Sequence, residues 1–174
     1  MKNILTAAFT VLLSIAALAQ GEFTFSPEKP KPGDEITISY KPAAVVPVKI
    51  SGYELKGPVM KDLDFEAKRT AGKYTATFKT DTSSAFVFFA VTAGGAPDNN
   101  QGNGYTIELY ENGKPREGAN VSRSFFFQYY GEEAGIQNDK ERALAALERE
   151  VQFHPGNRSA KVGVLRMKLA DDKD

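Results

Sequence analysis

Across residues 22–130 the chain repeats one device: a short segment of alternating apolar and polar residues, closed by a Gly, Pro or Asn turn signal. Period-two alternation puts successive side chains on opposite faces of a strand, so each segment has one face to bury and one to leave in water. Residues 35–40 set Ile36, Ile38 and Tyr40 against Glu35, Thr37 and Ser39, and residues 73–79 set Tyr74, Ala76 and Phe78 against Thr75, Thr77 and Lys79. Residues 60–68 turn Leu63, Phe65 and Ala67 inward and Asp62, Asp64 and Glu66 outward. With Ala71-Gly72 as the turn, this segment and residues 73–79 are predicted to form an antiparallel hairpin.

Other segments are predicted to fill out the sheets. Residues 22–26 align Phe23 and Phe25, and the prolines that follow (Pro27, Pro30, Pro32) suit a sandwich edge, because proline donates nothing to a ladder. Residues 45–50 form a less regular apolar strand, and residues 121–130 read as a last strand with Phe125, Phe127 and Tyr129 on one face. Residues 85–91, AFVFFAV, are apolar without alternation, which suits a strand covered on both faces. Seven or eight strands with turn signals between them and no intervening helix predict a mainly β fold, an Ig-like antiparallel sandwich over residues 20–132.

The densest local signal lies at residues 98–119. Asp98, Asn99 and Asn100 bond their own backbone readily, Gly102 and Gly104 accept positive φ, and Asn112-Gly113 is the pair best suited to a two-residue hairpin turn. Asp98, Asn100 and Asn103 also offer oxygens of the kind Ca²⁺ prefers, but only Asp98 carries charge and no bidentate Glu closes the loop. Two readings stand side by side: a calcium site, and an Asx-rich connection that satisfies its own backbone.

At Asn138 the period changes to that of a helix. Asn138 with Glu141 makes an N-cap signal, Ala143, Leu144, Leu147 and Val151 fall on one stripe, and Pro155 stops the run. A second helix from Asn157 carries Val162, Leu165 and Leu169 at helical spacing, which gives a helical, TPR-like hairpin over residues 138–174. Such a hairpin cannot bury its apolar face alone, so it packs on the sandwich or on further units of a longer chain. The polar end at residues 171–174 is read as a sign that the chain is a fragment of something longer.

Composition narrows the chemistry. The 174 residues include no Cys, no Trp, one His, and 22 basic against 22 acidic residues. Balanced charge without a basic cluster argues against nucleic acid, since phosphate neutralisation needs concentrated Lys and Arg. Residues 1–19 read as a secretory signal, with Lys2, an apolar run and Ala17-Leu18-Ala19 before Gln20. Cleavage there leaves 174 − 19 = 155 residues with no transmembrane segment, an exported domain. His154 beside Pro155 suits a helix C-terminus. Asp62, Asp64 and Glu66 suit a strand face that resists edge-to-edge pairing, with a glycosidase pair as the reactive alternative. Tyr110, Phe126, Tyr129 and Tyr130 are the candidate aromatic interaction surface.

The order FTFSPEKPKPGDEITISY, FVFFAV, DNNQGNGY with LYENGKPREGA, and then ERALAALEREVQFHPGN resembles the N-terminal region of secreted thioredoxin-like proteins of Bacteroidetes. The resemblance implies an Ig-like module and a short helical segment standing before a redox domain, in the periplasm or secreted to the outer surface of a Gram-negative bacterium. The CxxC motif of that family has no counterpart here, so no catalytic residue is carried over and no cofactor is implied. The expected function is a non-catalytic periplasmic accessory module whose partner is a thioredoxin-like domain or another envelope protein. The alternative is a carbohydrate- or cell-envelope-binding sandwich.

Overall fold

The computed structural model describes residues 20–171, and the predicted signal sequence at residues 1–19 lies outside them. In chain order the strands are β1 (Glu22–Ser26), β2 (Glu35–Lys41), β3 (Val48–Lys56), β4 (Val59–Leu63), β5 (Lys68–Thr70), β6 (Lys73–Lys79), β7 (Phe86–Ala93), β8 (Ala96–Asp98), β9 (Tyr105–Glu108), β10 (Tyr110–Glu111) and β11 (Lys114–Pro115). They are followed by helices α1 (Ala119–Phe125), α2 (Lys140–Phe153) and α3 (Arg158–Asp171). α1 runs on into a π-helical turn, Phe126–Tyr130, and a 3₁₀ turn, Gly131–Ala134.

One sheet has the order β1-β2-β6-β5 and the other β4-β3-β7, with β8 and β9 both on the free edge of β7. All pairings are antiparallel. This is the two-sheet strand order of the immunoglobulin fold, with β8 and β9 together filling the place of its last strand. The fold is therefore mainly β, an Ig-like antiparallel sandwich with a helical region at its C-terminal end.

The alternating strands behave as their pattern dictates. Ile36, Ile38 and Tyr40 from β2 and Ala76 and Phe78 from β6 are buried against Val87, Phe89 and Val91 from β7, with Ile107 and Leu109 beside them. β7 carries a second set on its other face. Phe86 and Phe88 are fully buried against Phe126, Phe127, Ala134, Ile136 and Ala143, all from the helical region, and Leu55 of β3 joins them. Phe88 and Phe126 have ring centroids 4.8 Å apart. The molecule thus has three layers, and the unbroken apolar run of β7 is the strand shared by both cores.

The structure corrects several sequence expectations. Residues 121–130 are not a strand but helix. Buried Ala119, Ser122 and Phe126 recur at helical spacing, and no local capping side chain announced the start, because Gly118 precedes α1 with φ 88°. The helical region consequently begins at Ala119, and the sandwich ends at β11. Residues 60–68 do not form one strand either. β4 ends at Leu63, the chain crosses to the other sheet, and only β5 pairs with β6. Phe65 lies in the crossing, with its ring 5.5 Å from Phe78 and 6.3 Å from Phe89. β3 extends through Gly52 to Lys56, beyond the expected end at Ile50. A side chain at Gly52 would meet Phe65 Cε1 at 2.5 Å, so this glycine marks close packing rather than a break.

Two details of the hairpin also shift. Asp139, not Asn138, caps α2, its side chain accepting the Arg142 N–H at 2.9 Å. The buried face of α2 is Ala143, Ala146, Leu147 and Glu150, with Leu144 and Val151 only half-buried. On α3 the expected stripe faces water: Val162 is 44%, Leu165 61% and Leu169 59% exposed. α3 instead lays its small residues, Ala160 and Gly163, on α2. A Cβ at Gly163 would stand 2.9 Å from Leu147 Cδ1, so the two helices are in close approach there.

Phe126 fills the interface between sheet and helices, so Phe126→Ala is expected to lower stability by about 3–5 kcal/mol. Urea unfolding followed by circular dichroism measures it, and a loss below about 1 kcal/mol would contradict the shared core.

Candidate functional site

The 98–104 loop interrupts the edge of the second sheet. Val91 pairs with Asp98, Phe89 pairs with Tyr105, and the residues between them loop out. Asp98 is held there by four donors: Tyr40 OH (2.6 Å) and Gly21 N–H (2.9 Å) on Oδ2, Tyr105 OH (2.9 Å) and Asn100 N–H (3.2 Å) on Oδ1. Burial pushes its pKa up, but these bonds outweigh burial and hold the carboxyl below its ordinary value. Burial and the bond to Asp98 push the Tyr40 and Tyr105 hydroxyls up, which keeps them protonated as donors. Asn100 is occupied as well, accepting from the Gln20 amide and donating to Gly104 O at 2.8 Å. The expected calcium ligands are thus engaged with protein donors, and a cation at Asp98 would have to displace two hydroxyls and two amides. Asn103 is exposed and adds no charge. Among the described residues no group of three or more His, Cys, Asp or Glu is placed to hold a metal ion.

The four expected surface aromatics separate. Phe126 is fully buried, because its ring packs between Phe86 and Phe88 and leaves nothing for a partner to touch. Tyr130 is half-buried and donates its hydroxyl to Pro58 O, and Tyr110 is half-buried beneath the Lys29 ammonium. Tyr129 remains open at 62% exposure. Asp62, Asp64 and Glu66 point outward as expected. His154 ends α2, where its Nε2–H donates to Pro115 O at 2.8 Å and fastens the helix to β11. Beside the 98–104 loop, the rings of Tyr40 and Tyr105 are buried, so the aromatic character of that region is internal.

A cleft of about 410 Å³ does lie beside the loop, walled by Tyr40, Pro42, Val46, Pro97 and Asp98, and a second concavity lies in the helical layer. A cleft of about 640 Å³ opens between α1 with its π-helical turn on one side and α3 on the other, over α2. Val121, Phe125, Leu147 and Met167 supply its apolar floor, and Tyr129 stands at its edge. Lys140, Arg158 and Arg166 line it too, and none of the described lining residues is acidic. The π-helical turn contributes to the shape. Widening the helix lets consecutive Phe126 and Phe127 both face the core while Tyr129 is thrown outward, and such turns concentrate at functional sites.

Two carboxylates hold the walls of this cleft in place. Glu150, fully buried on α2, accepts Gly118 N–H at 2.7 Å and Asn120 N–H at 3.1 Å, which caps the start of α1 from another helix. It also accepts Asn157 Nδ2 at 2.9 Å, while Asn157 Oδ1 accepts Ala160 N–H and caps α3. One carboxylate therefore positions all three helices. Glu108 on β9 then ties them to the sheet, bonding Arg123 of α1 at 3.0 Å and Arg149 of α2 at 3.1 Å. Arg142 lies 4.1 Å over the Phe127 ring and donates to Gly102 O at 2.6 Å, and burial draws its pKa below the ordinary value.

What the fold and cleft define is a sandwich whose outer sheet carries a fixed helical layer, with a groove between α1 and α3. No family model and no curated protein matches the chain. Among solved structures, the Lin-41 filamin domain is similar over 51% of this chain and 91% of its own length, at 11% identity and a TM-score of 0.36. The strand order described above, rather than that similarity, defines the fold.

Two outcomes test these anchors. Asp98 is held below its unfolded pKa of about 3.9, so its contribution is intact at neutral pH and is lost as pH falls below about 4 through its lowered folded value. The urea midpoint of the native protein should therefore fall more steeply from about pH 5 to about pH 3 than that of Asp98→Asn, and parallel curves would contradict the assignment. Glu150→Ala, which orphans two helix N–H groups and the Asn157 amide, should cost about 1–3 kcal/mol in the same assay. A neutral result would remove Glu150 from its capping role.

Proposed function

We propose that this chain is a non-catalytic interaction module of the bacterial cell envelope, and that the groove between α1 and α3 is where it holds its partner. The observation that carries the reading is the groove itself: an apolar floor with open Tyr129 at its edge, on helices fixed to the sheet by Glu150 and Glu108. Clefts of several hundred Å³ with an apolar lining and a few placed polar groups are the usual form of a binding site. The resemblance to the N-terminal region of secreted thioredoxin-like proteins supports a thioredoxin-like redox domain as the partner, supplied by a longer chain or by a second protein. The signal-like residues 1–19 support an envelope location. No helix among the described residues is long and apolar enough to cross a membrane.

A photo-crosslinking amino acid in place of Tyr129, in the protein expressed in its own host, tests the reading. The expected product is a covalent adduct with a CxxC-bearing thioredoxin-like domain, and the same probe at Val45, 86% exposed in the segment before β3, should give none. Absence of an adduct at position 129, or equal labelling from both positions, would overturn the proposal.

A further inference from the structure

The charge around the groove specifies more than an interaction surface. Over the whole chain, acidic and basic residues balance, 22 against 22, yet among the described residues the groove is lined by Lys140, Arg158 and Arg166 and by no carboxylate. None of these three cations forms an ion pair among the described residues, whereas the neighbouring Arg123, Arg142, Arg149 and Lys168 each have a carboxylate partner. Cations left unpaired around an apolar floor complement an anionic partner with an apolar anchor.

Their spacing restricts the partner further. Arg158 and Arg166 are 166 − 158 = 8 residues apart on α3, about 12 Å along the axis at about 1.5 Å per residue. The short connection at residues 154–157 turns α3 back along α2, so Lys140 at the start of α2 belongs with the Arg166 end. An extended chain advances about 3.3 Å per residue, so two carboxylates four residues apart span about 13 Å. In an extended segment the residue midway between them projects from the same face. We propose, on the reading of the groove as a docking site, that its occupant is an extended peptide segment with acidic residues at positions i and i+4 and an apolar residue at i+2. The two acids meet Arg158 at one end and Arg166 with Lys140 at the other, and the central side chain enters the floor formed by Phe125, Leu147 and Met167. The concave shape favours such a segment over an anionic bilayer, which would meet a flat or convex cationic face.

The test uses the mature protein and a fluorescein-labelled, amide-terminated probe with the core Asp-Ser-Phe-Ser-Asp, read by fluorescence anisotropy. It should bind about tenfold tighter than the Asn-Ser-Phe-Ser-Asn counterpart at low salt, and the advantage should shrink as salt rises. Replacing the central Phe by Ser should abolish binding. The double variant Arg158→Glu, Arg166→Glu, checked for native unfolding behaviour, should lose the preference for the acidic probe. Equal affinity for the Asp and Asn probes, or an unchanged preference in the double variant, overturns the inference. If both probes bind equally and the Tyr129 adduct still forms, the acidic specification fails while the docking reading stands. Binding to phosphatidylglycerol vesicles with no peptide preference overturns it in favour of a membrane surface.

Discussion

Everything in this molecule depends on β7 having two apolar faces. A strand in an ordinary two-sheet sandwich presents alternate residues to water, but Phe86 and Phe88 on the outer face of β7 are as fully buried as Val87 on the inner one. A fully buried Phe is worth about 1.5–3 kcal/mol over an exposed one, so leaving the outer pair open would cost several kcal/mol and invite aggregation. The helical layer is the cover. Phe126 and Phe127 from the π-helical turn, with Ile136 and Ala143, close over the sheet and make a second core that neither the sandwich nor the helices could build alone.

The same constraint places the groove. Once Phe126 and Phe127 are committed to the sheet, α1 is fixed in orientation, and Glu150 sets α2 and α3 against it through N–H groups that no local side chain satisfies. Glu108 and the backbone contacts of Arg116, Lys114 and His154 fasten the layer at further points. The cleft between α1 and α3 is therefore a consequence of packing that serves stability. Its walls are held in advance, and on the proposed docking reading this lowers the ordering cost of binding.

Much of the fold was legible because strand alternation is a local property. β2, β6 and the Asn112-Gly113 turn, with φ of 52° and 77°, follow directly from residue pattern, and the missing alternation of residues 85–91 announced a doubly covered strand. What stayed hidden depends on partners far away in sequence. α1 read as a strand because its cap comes from Glu150, 32 positions on from Gly118, and because a Glu on the buried face of α2 looks like a solvated residue. The Asp98 loop offered plausible calcium ligands until Gly21 and Tyr40, more than fifty positions away, were seen to fill them. Of the expected aromatic surface only Tyr129 lies at the groove, and its cations, from two helices, are adjacent only once α3 folds back on α2.

The central claim is that sandwich and helical layer are one cooperative unit, joined through the outer face of β7. Native-state hydrogen exchange measures this directly, because amides that open only by global unfolding share one free energy. The account predicts that the protected amides of α2 around Ala143 and Leu147 exchange with the same opening free energy as those of β7 around Phe88. If the α2 amides open at a free energy several kcal/mol lower while β7 stays protected, the helices are an appendage and the shared core is not what holds the molecule together.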